Sequence, residues 1–373
     1  MIHFKSHWLA FEAAVALSLV CQVVSAQNFF SNTVITPISG VTVNRAVYDT
    51  SRDLIYATVP SSFGSPNGDS LVVVDPNTSS IVNFVNAAGS DPNAIAISDD
   101  NSVVYFGVDG ASAFRSFNPA TNAFGALQSV SVPGFGARGP AEVEDIVVQP
   151  GNPNVVLVSA DATGSTRSGT LQAYDANGLI DELDSFFNAS LFRTANSIDF
   201  LDPNTIITFN NTSTGADLQR LGFDGTNLNQ QQTVGGVFSG FGGTVEVDSG
   251  SVFFSTGEIV DPNNLTSLGS FPIINGGALE HAAAENLTYA FSVGNLQVFD
   301  NSTQAQLDVL NTNLSSARDL FFAGTNRLAV VDNNGQLAII DGVQITAVPE
   351  PACGVLVALY GCFCMARRRR SPA

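Results

Sequence analysis

Between residues 27 and 347 this chain carries one histidine, His281, with Glu280 beside it. An imidazole next to a carboxylate can work as a general acid or base when a further group orients it. No second histidine is present in that stretch to complete a dyad, and cysteine, tryptophan and methionine are missing from it altogether. Thiolate zinc sites, Ser-His-Asp triads and Cys-His pairs are thereby removed. No catalytic residue and no metal ligand is assigned, and His281 reads as a loop or packing histidine. What remains is oxygen chemistry. DNNGQ from Asp332 and DANGLIDELD from Asp175 space oxygen donors as a hard cation prefers. Neither fills a twelve-residue calcium loop, and turn-forming Asp and Asn give the same look in any all-β chain. The expectation is no cofactor, with Ca2+ as the alternative.

Three long loops, 61–70, 159–170 and 210–220, fall at equivalent places in the first, third and fourth repeats, which is expected to put them on one face. Loops held by a rigid scaffold are where contacts are made. Asp69, Asp161, Arg167, Asp217 and Arg220 are therefore the candidate contacts for a glycan or protein partner.

The elements that must position these residues are strands. From Ala46 to Val85 the sequence reads strand, tight turn, strand, longer loop, strand, tight turn, strand. The order recurs from Ala94, Asp145, Ser197, Thr244, Ala278 and Arg318. Units of four strands at this spacing predict a single all-β propeller of about seven blades. Blades are expected at about 41–89, 90–139, 140–192, 193–240, 241–275, 276–313 and 314–346. The segment 28–40 is expected to close the ring as an outer strand of the last blade, which removes open edges. DPNT at Asp75 and Asp202, DPNA at Asp91 and DPNN at Asp261 suit type I turns. DANG at 175–178 and NNG at 333–335 suit hairpins. Only 181–191 and LEHAAAEN at 279–286 stay open between loop and short helix. LIYATV followed by DSLVVVDPNTSSIV resembles the YVTN-type propeller repeat. That resemblance implies the fold and leaves the ligand open. Lactonase-like propellers need histidines, and quinone-cofactor propellers need tryptophans, that this body lacks.

Charge narrows the partners. The same stretch holds nine arginines, no lysine and thirty-one acids, a net charge of −22. Such a field repels nucleic acid and anionic lipid.

The two ends carry address labels. Lys5, an apolar run from Ala13 to Val24 and Val24-Ser25-Ala26 form a secretory signal peptide, residues 1–26, with cleavage expected between Ala26 and Gln27. The last segment, 347–373, holds Val348, Pro349, Glu350 and Pro351, an apolar run over 352–366, and Arg367, Arg368, Arg369 and Arg370. This arrangement resembles the PEP-CTERM sorting signal of bacteria. The resemblance implies a short transmembrane helix that holds an exported protein in the inner membrane until an exosortase-type protease processes it near Pro349–Pro351. The arginines would stay cytoplasmic and the body outside. Fifteen apolar residues reach only about 23 Å at the helical rise, so the anchor is short. Together these readings predict an exported, non-catalytic propeller of the cell surface or extracellular matrix that binds a glycan or protein. The alternative is an exported hydrolase or lyase that uses acids in the propeller channel.

Overall fold

The computed structural model describes residues 28–132, 140–162, 169–184, 195–211, 216–236, 243–248, 250–273 and 276–345. The propeller is the unit Phe30–Ile345; the terminal segments, 1–29 and 346–373, make up a second unit, of which only residues 28 and 29 are described. Ala26, Gln27, the motif 348–351, the apolar run 352–366 and Arg367–Arg370 all lie outside the described residues. Among the described residues no helix is long and apolar enough to cross a membrane.

Seven antiparallel sheets follow one another along the chain. Blade 1 consists of Ala46–Asp49, Leu54–Val59, Ser70–Asp75 and Ser80–Val85, from the centre outward. The innermost strands of blades 2 to 7 are Pro92–Ile97, Ala141–Val148, Ser197–Asp202, Val245–Asp248, Ala278–Ala282 and Ala317–Phe322. Blade 7 takes its outer strand from the start of the body. Val34–Pro37 pairs with Leu337–Asp341, from Val34 opposite Asp341 to Pro37 opposite Ala338. The ring is thus zipped by backbone hydrogen bonds between its two ends, and the N-terminal strand covers what would otherwise be the open outer edge of Leu337–Asp341.

Radial packing explains the sequence pattern. In Ser70–Asp75 the residues Leu71, Val72, Val73 and Val74 are all 5% exposed or less. Val72 and Val74 pack with Ile55, Val331 and Ile339 toward blade 7. Leu71 and Val73 pack with Tyr56, Phe106 and Phe117 toward blade 2. Successive side chains point to opposite faces, and here both faces are buried, so the strand is apolar throughout rather than alternating. The same division recurs around the ring, with Phe209, Leu218 and Phe254 joining blades 4 and 5, and Phe253, Phe271 and Phe299 joining blades 5 and 6.

Most of the expected turns form as read. The side chains of Asp75, Asp202 and Asp261 each accept the N–H two residues on, from Asn77, Asn204 and Asn263, all at 2.8 Å. Asp91 differs: it sits at φ 55°, and Pro92 opens a strand rather than a turn. Long-range bonds set this conformation, because the Asp91 N–H donates to Asp69 and its carboxylate accepts the Ser61 N–H. The open stretch 279–286 resolves into the end of a strand and one 3-10 turn, Ala283–Glu285. Gly178–Asp184 is a strand, so the start of the stretch 181–191 is neither loop nor helix.

Candidate functional site

The seven innermost strands surround a cavity of about 810 Å3. Its wall has two characters. Val47 and Tyr48 of blade 1 and Ile95 and Ile97 of blade 2 form an apolar arc; Glu144, Asp145, Asp199, Glu246, Glu280 and Asp319, from blades 3 to 7, form an acidic one. Arg45 and Arg318 also line the cavity.

The acids are placed by the innermost strands, and several brace the next blade. Asp145 accepts the N–H of Ile198 at 2.9 Å, Asp199 that of Val247 at 2.7 Å, and Glu280 that of Phe322 at 3.3 Å. Asp319 closes the circle, accepting the Ala46 N–H at 3.0 Å and a 2.7 Å ion pair from Arg45. Between blades 2 and 3 the same task falls to Asp109, outside the innermost strand, which accepts the Val143 N–H at 2.9 Å. Two of these carboxylates are aimed by bulges. In blade 3 the pairing skips Glu144, and in blade 7 it skips Arg318. A bulge re-aims the residues around it, and the next residue in each case is a bracing aspartate.

Burial in the channel works against ionisation. It pushes Asp145 up to about 6, against the opposing pull of the Ile198 N–H and Arg45. It pushes Asp199 up to about 7, against the N–H groups of Val247 and Phe200, with the Asp145 charge adding to the rise. Glu246 and Glu280 both lie above the ordinary carboxylate range, through burial first; Glu246 is raised further by the Glu280 charge. Arg45 is also pushed up, which for a cation favours the charged form: Asp319 raises it most, against the effect of burial, and Asp145 and Glu144 contribute from blade 3. A carboxyl pair that retains a proton near neutral pH can donate to one group while an ionised neighbour accepts from another.

His281 is not among the residues that line the channel. It lies within an innermost strand, its ring 3.7 Å from the Phe253 ring centroid, and burial lowers its pKa to about 3. Nδ1 is 2.8 Å from the Thr288 hydroxyl, which donates to Asn301 at 2.5 Å. It is a neutral packing histidine.

The loop candidates do not converge on one place, being spread over blades 1, 3 and 4. Asp69 sits at φ 60° and ties its loop to blade 2 through Ser61 and the Asp91 N–H. Asp161 is not in a loop: it lies within the strand Val156–Ala162, 2% exposed. Asp217 precedes the strand Leu218–Phe223, and its carbonyl accepts the Asn210 N–H at 2.9 Å. Arg220 is in that strand and donates to the carbonyls of Pro262 and Asn263, joining blades 4 and 5. Arg167 lies outside the described residues. The turn oxygens of Asp175 and Asp332 accept N–H groups of their own turns, from Asn177, Asn334 and Gln336. Among the described residues no group of three or more His, Cys, Asp or Glu side chains is arranged to hold a metal ion.

The channel residues carry a signal in sequence. Asp145, Asp199, Glu246, Glu280 and Asp319 each fall within the first three residues of their repeats, counted from Asp145, Ser197, Thr244, Ala278 and Arg318. Aligning the repeats would have exposed this column of acids. Compared with models of known protein families and with curated proteins, the chain matches none of them.

Proposed function

We propose that this chain is an exported, non-catalytic propeller that serves as a binding or scaffold module at a cell surface or in an extracellular matrix. The observation that carries the reading is the use made of the channel acids. Asp145, Asp199, Glu280 and Asp319 are engaged with N–H groups of the neighbouring blade. Carboxylates committed to the frame rigidify a scaffold, and a rigid propeller displays its loops for contact with a glycan or protein. Export rests on the resemblance of residues 1–26 to a signal peptide and of 347–373 to a PEP-CTERM signal. In that reading an exosortase-type protease cuts near Pro349–Pro351 and frees the body from a transient stay in the inner membrane.

The sorting test is an intact-mass measurement. Mature protein from the surface or medium is expected to lack Arg367–Arg370. Replacing Pro349, Glu350 and Pro351 with alanine should trap the full-length form in the membrane. Release of protein that still ends at Ala373, or normal release of the triple variant, would refute the assignment. The binding test is capture of a glycan or protein without turnover.

One observation favours a second reading, an exported hydrolase or lyase. Glu246 and Glu280 are neighbouring channel carboxyls, both shifted toward the protonated form. Turnover that survives loss of His281 and fails in Glu246→Gln and Glu280→Gln would establish this reading in place of the first.

A further inference from the structure

Blade 2 has a broken outer edge. Its outer strand is two short pieces: Ala123–Phe124 pairs beside Phe117 and Asn118, and Gln128–Ser129 pairs beside Phe114 and Ala113. The other six blades each have one continuous outer strand among the described residues. At the break the Gly125 carbonyl accepts Nε and Nη2 of Arg115, at 3.1 and 2.6 Å. The Arg115 guanidinium also lies over the Phe124 ring at 4.7 Å and donates to the carbonyls of Ala87 and Ala88.

A groove of about 440 Å3 lies between this edge and blade 3. That volume is within the range of small-ligand sites. Tyr105 lines it, half-buried, with its hydroxyl fixed to the Pro153 carbonyl at 3.1 Å. Phe114 packs behind, ring centroids 6.3 Å apart. Around them stand Ser116, Asn118, Gln128, Asn154 and Asp175. Among the described residues, no hydrogen bond occupies the side chains of Ser116, Gln128 or Asn154, or Nδ2 of Asn118. Among the described residues no Lys or Arg lines the groove, and Asp175 does.

We propose that this groove binds a neutral saccharide. Amides and a hydroxyl offer donors and acceptors together, as a polyhydroxylated ligand requires. A tyrosine ring offers apolar area for the face of a sugar ring. A described lining with one carboxylate and no cation disfavours phosphates, nucleotides and acidic sugars. The inference rests on the reading of the chain as a non-catalytic binding module and gives that module a site and a ligand class.

The test is titration of the full chain with maltotriose, cellotriose and diacetylchitobiose, read by calorimetry and by saturation-transfer NMR. At least one is expected to bind, with contacts to labelled Tyr105 ring protons in the unsubstituted protein. Gln128→Ala with Asn154→Ala should weaken that binding at least tenfold and leave the unfolding midpoint unchanged. Binding that is indifferent to both substitutions and gives no Tyr105 contact would overturn the groove while the binding reading stands. No binding by any of the three at millimolar concentration would also overturn it; capture of a protein partner would then judge the scaffold reading separately. Should the double variant melt early, the Tyr105 contact in the unsubstituted protein decides alone.

Discussion

Replacing Asp319 with alanine tests whether channel acids hold the ring together. The substitution removes two things at the closure between blades 7 and 1. Ala46, 6% exposed, loses the acceptor of its N–H, and an orphaned buried donor costs about 1–3 kcal/mol. Arg45 loses an ion pair whose side chains are 32% and 17% exposed, a contact worth about 0.5–1 kcal/mol after solvent screening. The expected destabilisation is therefore about 2–4 kcal/mol. In a body of this length one kcal/mol moves the midpoint by about 1.5 °C, so the melting temperature should fall by roughly 3–6 °C. Asp319→Asn separates the contributions. Its amide oxygen can still accept from Ala46 while the charge is lost, so it should cost about 1 kcal/mol. A double-mutant cycle with Arg45→Met should return a coupling of about 0.5–1 kcal/mol. Urea unfolding followed by circular dichroism reads all three. A loss below about 0.5 kcal/mol for the alanine variant would refute the bracing role. Equal losses for alanine and asparagine would show that charge, and not the backbone acceptor, matters there.

Stability should peak in mildly acid solution. Asp145 and Asp199 titrate at about 6 and about 7 in the folded chain, above the unfolded value near 4. The folded state thus binds more protons across that window, and stability falls as pH rises from about 4 to 7. Asp53, Asp75, Asp300 and Asp332 are held below their ordinary value by hydrogen bonds within and around their turns. Their contribution is lost as pH drops below about 4. Urea midpoints from pH 3.5 to 8 check this, and a curve that rises steadily to pH 8 would contradict it. His281 should remain neutral from pH 8 down to about 4, in the Nδ1–H form, because the Thr288 hydroxyl already donates to Asn301. Nitrogen-15 shifts of the ring report tautomer and charge together, and a midpoint between pH 5 and 7 would exclude the packed environment.

The sequence alone settled the repeat. Apolar runs such as Leu71–Val74 and Asp-Pro-Asn turns at Asp75 and Asp261 encode strands and their reversals through local physics: side chains alternate faces, and Asp caps the next N–H but one. Seven such units and an N-terminal strand left over already implied a closed ring. His281 read as a loop or packing residue because no second histidine could complete a dyad with it; it packs, but within a strand rather than a loop. The column of acids at the repeat starts was also written in the sequence, yet its meaning was not. Asp145 reaches Ile198, and Asp319 reaches back to Ala46; contacts across such separations in the chain have no local signature. Asp91 shows the same limit, since bonds to Asp69 and Ser61 override its turn tendency. Asp161 read as a loop contact and is a buried strand residue, because the strand runs further than its polar composition suggests. The raised carboxyls of the channel and the groove beside the broken edge of blade 2 were decided by tertiary structure alone. Both depend on what neighbouring blades exclude from water, and that is set only when the ring closes.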